Sequence, residues 1–332
     1  MTVNGAQAET RRQMEQALGL PADTLNDWLY TLRAGLPDEK SCAVHLANSL
    51  WMTDHGRFTA NRDFLQTNAD YYGADLYRLP LNDDACRKIN RWVKDRTDGM
   101  IPEILDAIPD NAVLYLVNAL AFDAAWQTVY TAPHVHDSVF TLEDGTRCDV
   151  SLMYSAEYRY LEDDGARGFM KPYEGGKYAF AALLPDAGMS VADYAAALTG
   201  ARLHALLTAP ADEKVIAAIP KFESEWSADL RSVLEQMGMT DAFDPELADL
   251  SALGRSEAGN LFISRVLHKT YISVTETGTR AGAAAAVETK DGAAAPDKEP
   301  QRVTLDRPFV YMIVDMESGF PIFMGTMMNP GA

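Results

Sequence analysis

The segment His268–Thr289, HKTYISVTETGTRAGAAAAVET, limits what this chain can fold into more than any other stretch. Its first half carries Tyr271, Ile272 and Val274, residues that favour strands. Its second half, with Gly278, Gly282 and a run of alanines, has neither strand propensity nor a helical stripe. A period of two nevertheless orders it. One face carries Thr277, Thr279, Ala281, Ala283, Ala285, Val287 and Thr289, all small and uncharged. The other carries Glu276, Gly278, Arg280, Gly282, Ala284, Ala286 and Glu288, and so every charge. A strand with those faces fits a narrow buried slot on one side and water on the other.

Taken alone, this run and the following KDGAAAPDKEP read as a flexible linker. The sequel argues otherwise. Residues 301–332 are too few for a second domain with its own core. They read as a short strand and then two apolar strands joined at Glu317-Ser318-Gly319. Apolar strands need partners, so the chain must return into the body already built. The Ala-rich segment is then an exposed loop inside one domain, and long loops of that kind are usually functional.

Glu276-x-Gly278-Thr279-x-Ala281 followed by small residues resembles the hinge of the serpin reactive-centre loop. Pro308-Phe309-x-x-x-Ile313, Phe323-x-Gly325 and Asn329-Pro330 resemble the carboxy-terminal signature of that family. The resemblance runs along nearly the whole chain. It implies a single α/β domain over residues 1–332, with a mixed, mostly antiparallel central sheet, a second barrel-like sheet, surrounding helices and a reactive-centre loop at about 277–302. The opening MTVNGAQAETRRQMEQALGL resembles the family from partway through its second helix, which implies an amino-terminally truncated chain.

Acidic residues number 48 against 29 basic, a net charge of −19. That balance argues against nucleic acid and anionic membranes as partners. No apolar run approaches the roughly 18 residues a spanning helix needs. Cys42, Cys86 and Cys148 are odd in number and at no metal spacing, so free thiols are expected. The chain carries no signal peptide; the resemblance favours an extracellular protein whose signal would lie upstream of Met1, with a cytoplasmic one as the alternative.

Along the chain, helical spacing predicts a helix from Asp23 to about Gly35, capped by Asp23 or Thr24, and another at Asn61–Tyr72. A third, capped by Asp83 or Asp84, places Ile89, Trp92 and Val93 inward and stops at Asp98-Gly99; its Thr97-x-Gly99-x-Ile101 ending resembles a helix that covers the central sheet in serpins. Strands are expected at Ala43–Thr53, Asp75–Leu81, Asn111–Phe122, Val139–Leu142, Cys148–Tyr160, Gly168–Tyr173, Tyr178–Leu184 and Val215–Phe222. Val191–Leu207 reads as one helix, and Ser227 as the cap of a helix running through Met237.

The sequence holds no nucleophile elbow, zinc-protease motif, Cys-x-x-Cys, phosphate loop or dinucleotide fingerprint, so no enzyme, cofactor or metal site is expected. His134 and His136 would share one strand face, but without further ligands they read as surface histidines. Asn118 and His268 interrupt apolar strands, where a buried polar group needs a partner. They match serpin shutter positions, at which neighbouring strands of the central sheet part; two separately satisfied polar groups are the plainer alternative.

The resemblance implies a monomeric suicide inhibitor of a serine protease, trapped as a covalent acyl-enzyme while the loop enters the sheet. Family spacing of about sixteen residues from Glu276 places the reactive bond at Gly292–Ala293, suited to an elastase-like enzyme. Lys290–Asp291 is the trypsin-like rival, and counting back from Pro308 lands near Asp297. A non-inhibitory serpin-fold binding protein and a truncated form cleaved as a plain substrate are the other readings.

Overall fold

The computed structural model describes residues 1–39, 41–109, 112–279 and 299–331, and the described chain forms two compact units. The first comprises Met1–Asp38, Val44–Ala121 and Glu225–Tyr271. The second comprises Glu39–Ala43, Phe122–Ser224 and Ile272–Ala332.

In the first unit, helices Ala8–Leu18, Ala22–Ala34 and Arg62–Tyr72 surround a core that includes Leu50, Phe58, Phe64, Phe243 and Leu253. A second core forms where helix Asp83–Arg96 lays Ala85, Ile89 and Val93 against Trp51, Val117 and Ala119. Full burial of a residue such as Ile89 is worth about 1.5–3 kcal/mol. That helix ends as its motif suggests. Thr97 Oγ1 donates to the Val93 carbonyl (2.8 Å) and accepts from Ile101 N (3.1 Å), and Gly99 takes φ +74°.

The second unit holds a five-stranded antiparallel sheet, ordered Pro321–Met327, Phe309–Asp315, Tyr178–Pro185, Ala166–Pro172 and Tyr160–Asp163. Tyr178–Pro185 is buried at every residue, as its unbroken apolar run requires. A four-stranded sheet runs Gln301–Thr304, Val215–Pro220, Arg147–Glu157 and Val135–Thr141, its first pair parallel and the others antiparallel.

The sheet that carries the hinge has the order Asp38–Glu39, Cys42–Met52, Leu114–Ala125, Gly278–Thr279, Leu267–Val274 and Phe222–Asp229, with Asp75–Arg78 parallel to Cys42–Met52. The whole is the mixed α/β class expected from the sequence. Within the expected loop at 277–302, Gly278–Thr279 and the first residues of Gln301–Thr304 are paired in strands.

Several local expectations change. Asn82, not Asp83 or Asp84, caps its helix, its Oδ1 accepting from Asp84 N and Ala85 N at 3.0 and 3.1 Å. Helix Ala22–Ala34 starts from Pro21, without a side-chain cap. Residues 191–208 form two helices, Val191–Ala197 and Gly200–Thr208, because Thr199 Oγ1 accepts from Arg202 N and starts a second one. Ser227 caps nothing: it lies in strand Phe222–Asp229, and the helix that follows is only Arg231–Gln236. The helix's N-cap is Leu230, without a side-chain cap; the preceding Asp229 carboxylate accepts from Arg231 N and Val266 N at 3.1 and 3.0 Å.

Candidate functional site at the hinge strand

Strand Leu267–Val274 turns back at Thr275–Thr277, and Gly278 and Thr279 then enter the sheet. Thr279 pairs with Val274 on one side and Ala124 on the other, and Gly278 pairs with Ala125. The turn closes through Thr275 N to the Gly278 carbonyl, 2.9 Å. Its three outward carbonyls are all taken by one segment. Trp126 N donates to Thr277 O (2.9 Å), Tyr130 N to Glu276 O (2.9 Å), and the Trp126 indole N–H to Thr275 O (2.8 Å). Residues 126–130 are therefore a cradle for the hinge.

Of the positions expected on the inward face, Thr279 is buried and Thr277 half-buried, and Gly278, expected on the outward face, is buried as well. Thr279 is 1% exposed and its hydroxyl meets the Tyr173 hydroxyl at 2.5 Å. Tyr173 stacks on Trp126 with centroids 4.5 Å apart and planes 9° apart. Burial pushes the Tyr173 phenol well above its ordinary range, so it stays a neutral hydrogen-bonding group.

Glu276 accepts from Lys221 Nζ at 2.8 Å. This bond is the main reason its carboxyl sits below the ordinary value. Because the folded state has the lower pKa, the pair stabilises above the unfolded pKa of about 4.3 and loses its contribution as pH falls through the depressed value. Both side chains are more than a third exposed, with relative accessibilities of 40% and 34%, so solvent screening keeps the gain within about 0–1 kcal/mol. Urea unfolding of wild type and Glu276→Gln should therefore differ slightly near neutrality and converge in acid. A gap that widened in acid would contradict the assignment.

Beneath the cradle lies a pair that sequence reading passed over. Lys171 is 1% exposed; its Nζ donates to Glu157 Oε1 (3.0 Å) and to the Thr128 carbonyl (3.1 Å). The ammonium also faces the rings of Tyr130 at 4.4 Å and Trp126 at 5.4 Å. Ser155 Oγ donates to the same Glu157 oxygen at 2.6 Å and lies 3.2 Å from the Tyr130 hydroxyl. Lys171→Met alone leaves the Glu157 carboxylate buried without its cation, and should cost about 3–5 kcal/mol in unfolding free energy. A loss under about 1 kcal/mol by urea denaturation would show that the charges are not paired as drawn.

The shutter positions differ from expectation. Asn118 and His268 are both exposed rather than buried. In strand Leu114–Ala125, Val117 and Ala119 face the packed core while Asn118 lies on the alternate face. Asn118 donates to Asn48 Oδ1 at 2.8 Å, and the buried Asn48 donates to the Tyr72 carbonyl at 2.8 Å. Among the described residues no hydrogen bond joins Asn118 to His268. The His268 ring instead stands edge-on to Trp226 with centroids 5.8 Å apart, and desolvation there holds its pKa below the usual imidazole value. The amide of Asn48 in an alternating strand was a readable signal, and it was missed.

His134 and His136 do not share a strand face. His134 closes the 3-10 turn Ala132–His134, its Nδ1 3.2 Å from both Thr131 N and Oγ1, while His136 packs against Tyr154. Among the described residues no three His, Cys, Asp or Glu side chains gather to hold a metal. No described helix is long and apolar enough to cross a membrane. The expected hinge positions Ala281, Ala283 and Ala285 and the reactive-bond candidates Lys290, Asp291, Gly292 and Ala293 lie outside the described residues.

A family model described as "Serpin (serine protease inhibitor)" matches residues 1–330. An uncharacterized serpin-like protein of Thermococcus kodakarensis is 32% identical over 99% of this chain and 78% of its own. The human leukocyte elastase inhibitor is 34% identical over 87% of this chain and 78% of its own. Among solved structures, the thermophilic serpin tengpin in its native state superposes with a TM-score of 0.90 at 44% identity, covering 99% of this chain and 84% of that one. The chain belongs to the serpin family and has the serpin fold. The family is one of protease inhibitors rather than enzymes, acting on serine proteases. The relatives' names lend no support to the expectation of an extracellular protein.

Proposed function

We propose that this protein inhibits a serine protease as a suicide substrate, with an elastase-like enzyme as the first candidate. One observation carries the reading: Gly278 and Thr279 already pair between two strands, with the small inward face continuing in sequence to Thr289. The protease serine attacks the carbonyl of Gly292, the peptide bond to Ala293 breaks, and the new amine leaves with a proton. An ester now joins protease and inhibitor. The residues beyond Thr279 then follow the seated pair into the sheet, so that the strand 277–289, thirteen residues, spans on the order of 40 Å at about 3.3 Å per residue. The attached protease is dragged and its catalytic groups are displaced. A misplacement of about 1 Å costs about a hundredfold in rate, so water fails to deacylate it.

New ladder hydrogen bonds contribute about 0.5–1.5 kcal/mol each, and ordering each residue costs about 1–2 kcal/mol. These nearly cancel. Net driving force must come from relaxation of a strained starting sheet.

The alanine-rich bond and the elastase inhibitors among the relatives support the elastase-like choice. Titrating an elastase-like protease with the protein should abolish activity near one-to-one, in a complex of one copy of each. Sequencing the released fragment should give a new amino terminus at Ala293 or an adjacent alanine. A terminus at Asp291 would move the bond to Lys290 and the target to trypsin-like enzymes. Full protease activity with a cleaved loop would replace inhibition by plain substrate behaviour.

A further inference from the structure

We infer that Lys171, paired with Glu157, is a positioning residue for loop insertion: it holds the 126–130 cradle in the shape that seats the hinge at Gly278–Thr279. The inference rests on the inhibitory reading above and adds a determinant of its efficiency. Past Ala125 the segment keeps only the isolated bridge of Trp126 with Tyr173 and the Gln127 N bond to the Pro172 carbonyl, so strand pairing does not fix residues 128–130. Yet its two N–H groups and indole must meet three hinge carbonyls at 2.8–2.9 Å. Something must hold residues 128–130 from below.

Lys171 is placed to do this. The segment's middle carbonyl, Thr128 O, accepts from Lys171 Nζ, and the rings at its two ends, Trp126 and Tyr130, flank the same ammonium. One cation therefore ties the middle and both ends of the cradle. Lys171 itself is fixed by strand Ala166–Pro172, paired on both sides within its sheet, and by the Glu157 carboxylate at the end of strand Arg147–Glu157. Gln127 N donates to the Pro172 carbonyl (3.1 Å), locking the segment to the next residue along. An apolar side chain would fill this volume but could not bind the Thr128 carbonyl. The choice of an ion pair, costly to desolvate, is explained if its directional bonds shape the cradle.

The consequence is kinetic. A hinge already seated by two residues starts insertion from a formed nucleus, so the strand grows without first closing a loop. With a loose cradle the hinge detaches, insertion starts later, and more acyl-enzyme is hydrolysed first.

The test uses the double variant Glu157→Leu/Lys171→Met in the full chain, which removes both charges and leaves neither unpaired. Hydrogen exchange on the uncleaved protein should show the Trp126 and Tyr130 amides exchanging roughly tenfold faster or more than in wild type. Amides of strand Tyr178–Pro185 should keep their protection. Against a protease that wild type inhibits, the stoichiometry of inhibition should rise several-fold while the rate of loop cleavage is unchanged. Unchanged protection at Trp126 and Tyr130 would overturn the positioning role, whatever the protease result. Faster exchange with unchanged stoichiometry would overturn the link to insertion. If wild type inhibits nothing in the panel, the inhibitory reading fails, and exchange still decides whether Lys171 shapes the cradle. Protection lost equally in strand Tyr178–Pro185 would reduce Lys171 to general stability and so overturn the inference.

Discussion

Thr279→Arg is expected to leave the loop cleavable and to turn an inhibitor into a substrate. Thr279 is 1% exposed, bonded to the Tyr173 hydroxyl and flanked by Val274 and Ala124. No carboxylate is among these neighbours. A guanidinium forced into that slot would be desolvated without a counter-charge, at a cost of several kcal/mol. The side chain would stay in water and the hinge would stay out of the sheet. The fold should survive, because Gly278–Thr279 is only a two-residue strand. The proposed scissile bond, Gly292–Ala293, is well removed in sequence from Thr279, so attack by the protease should proceed at its normal rate. A barrier raised by about 3 kcal/mol slows insertion more than a hundredfold. Deacylation then wins, and the stoichiometry of inhibition should rise at least tenfold. Thr279→Ser, which keeps the hydroxyl for Tyr173, should inhibit like wild type. An arginine variant with unchanged stoichiometry would mean that the hinge does not enter at this position.

A single cut in the loop, made by a protease that escapes inhibition, should raise the melting temperature. The freed segment gains sheet partners on both sides, and the starting sheet loses its strain. If the net gain is about 5 kcal/mol, the shift is roughly 10 °C or more at about 2–4 °C per kcal/mol. An ordinary nicked loop behaves in the opposite way, since breaking a connection frees entropy mainly in the unfolded chain. Differential scanning calorimetry before and after cleavage separates the two. A melting temperature that stays or falls means the sheet did not accept the strand.

The burial of Thr279 was legible because its constraint is local. Small residues on alternate positions and charges on the others require a slot that admits no bulk, and Thr279 occupies one. The apolar strand Tyr178–Pro185 and the closing hairpin Phe309–Met327 were legible for a similar reason, since long apolar runs must be buried wherever they occur. Ser227 was misread because a serine before Leu230 and Leu234 satisfies a helix pattern, while tertiary pairing kept residues 222–229 extended. The burial expected of Asn118 and His268 failed for a different reason. A strand with one packed and one open face hides which face a polar residue takes, and Asn118 and His268 are both exposed.

The cradle was not legible at all. Trp126, Tyr130, Lys171 and Glu157 come from separate parts of the chain, and nothing in Phe169-Met170-Lys171-Pro172 marks its lysine as buried. In a strand whose neighbours are apolar, a lone lysine reads as an edge or surface residue. Only the fold supplies its carboxylate, its carbonyl and its two rings.

The central claim, covalent capture of a protease by an inserting loop, is tested most directly by intact mass. The protein should be mixed with members of a serine protease panel, elastase-like enzymes included, then denatured in SDS and the surviving complex weighed. The expected result is a one-to-one species whose mass is the protease plus residues 1–292, less one water for the ester. Complete cleavage at the loop with free, active protease and no such species would contradict it.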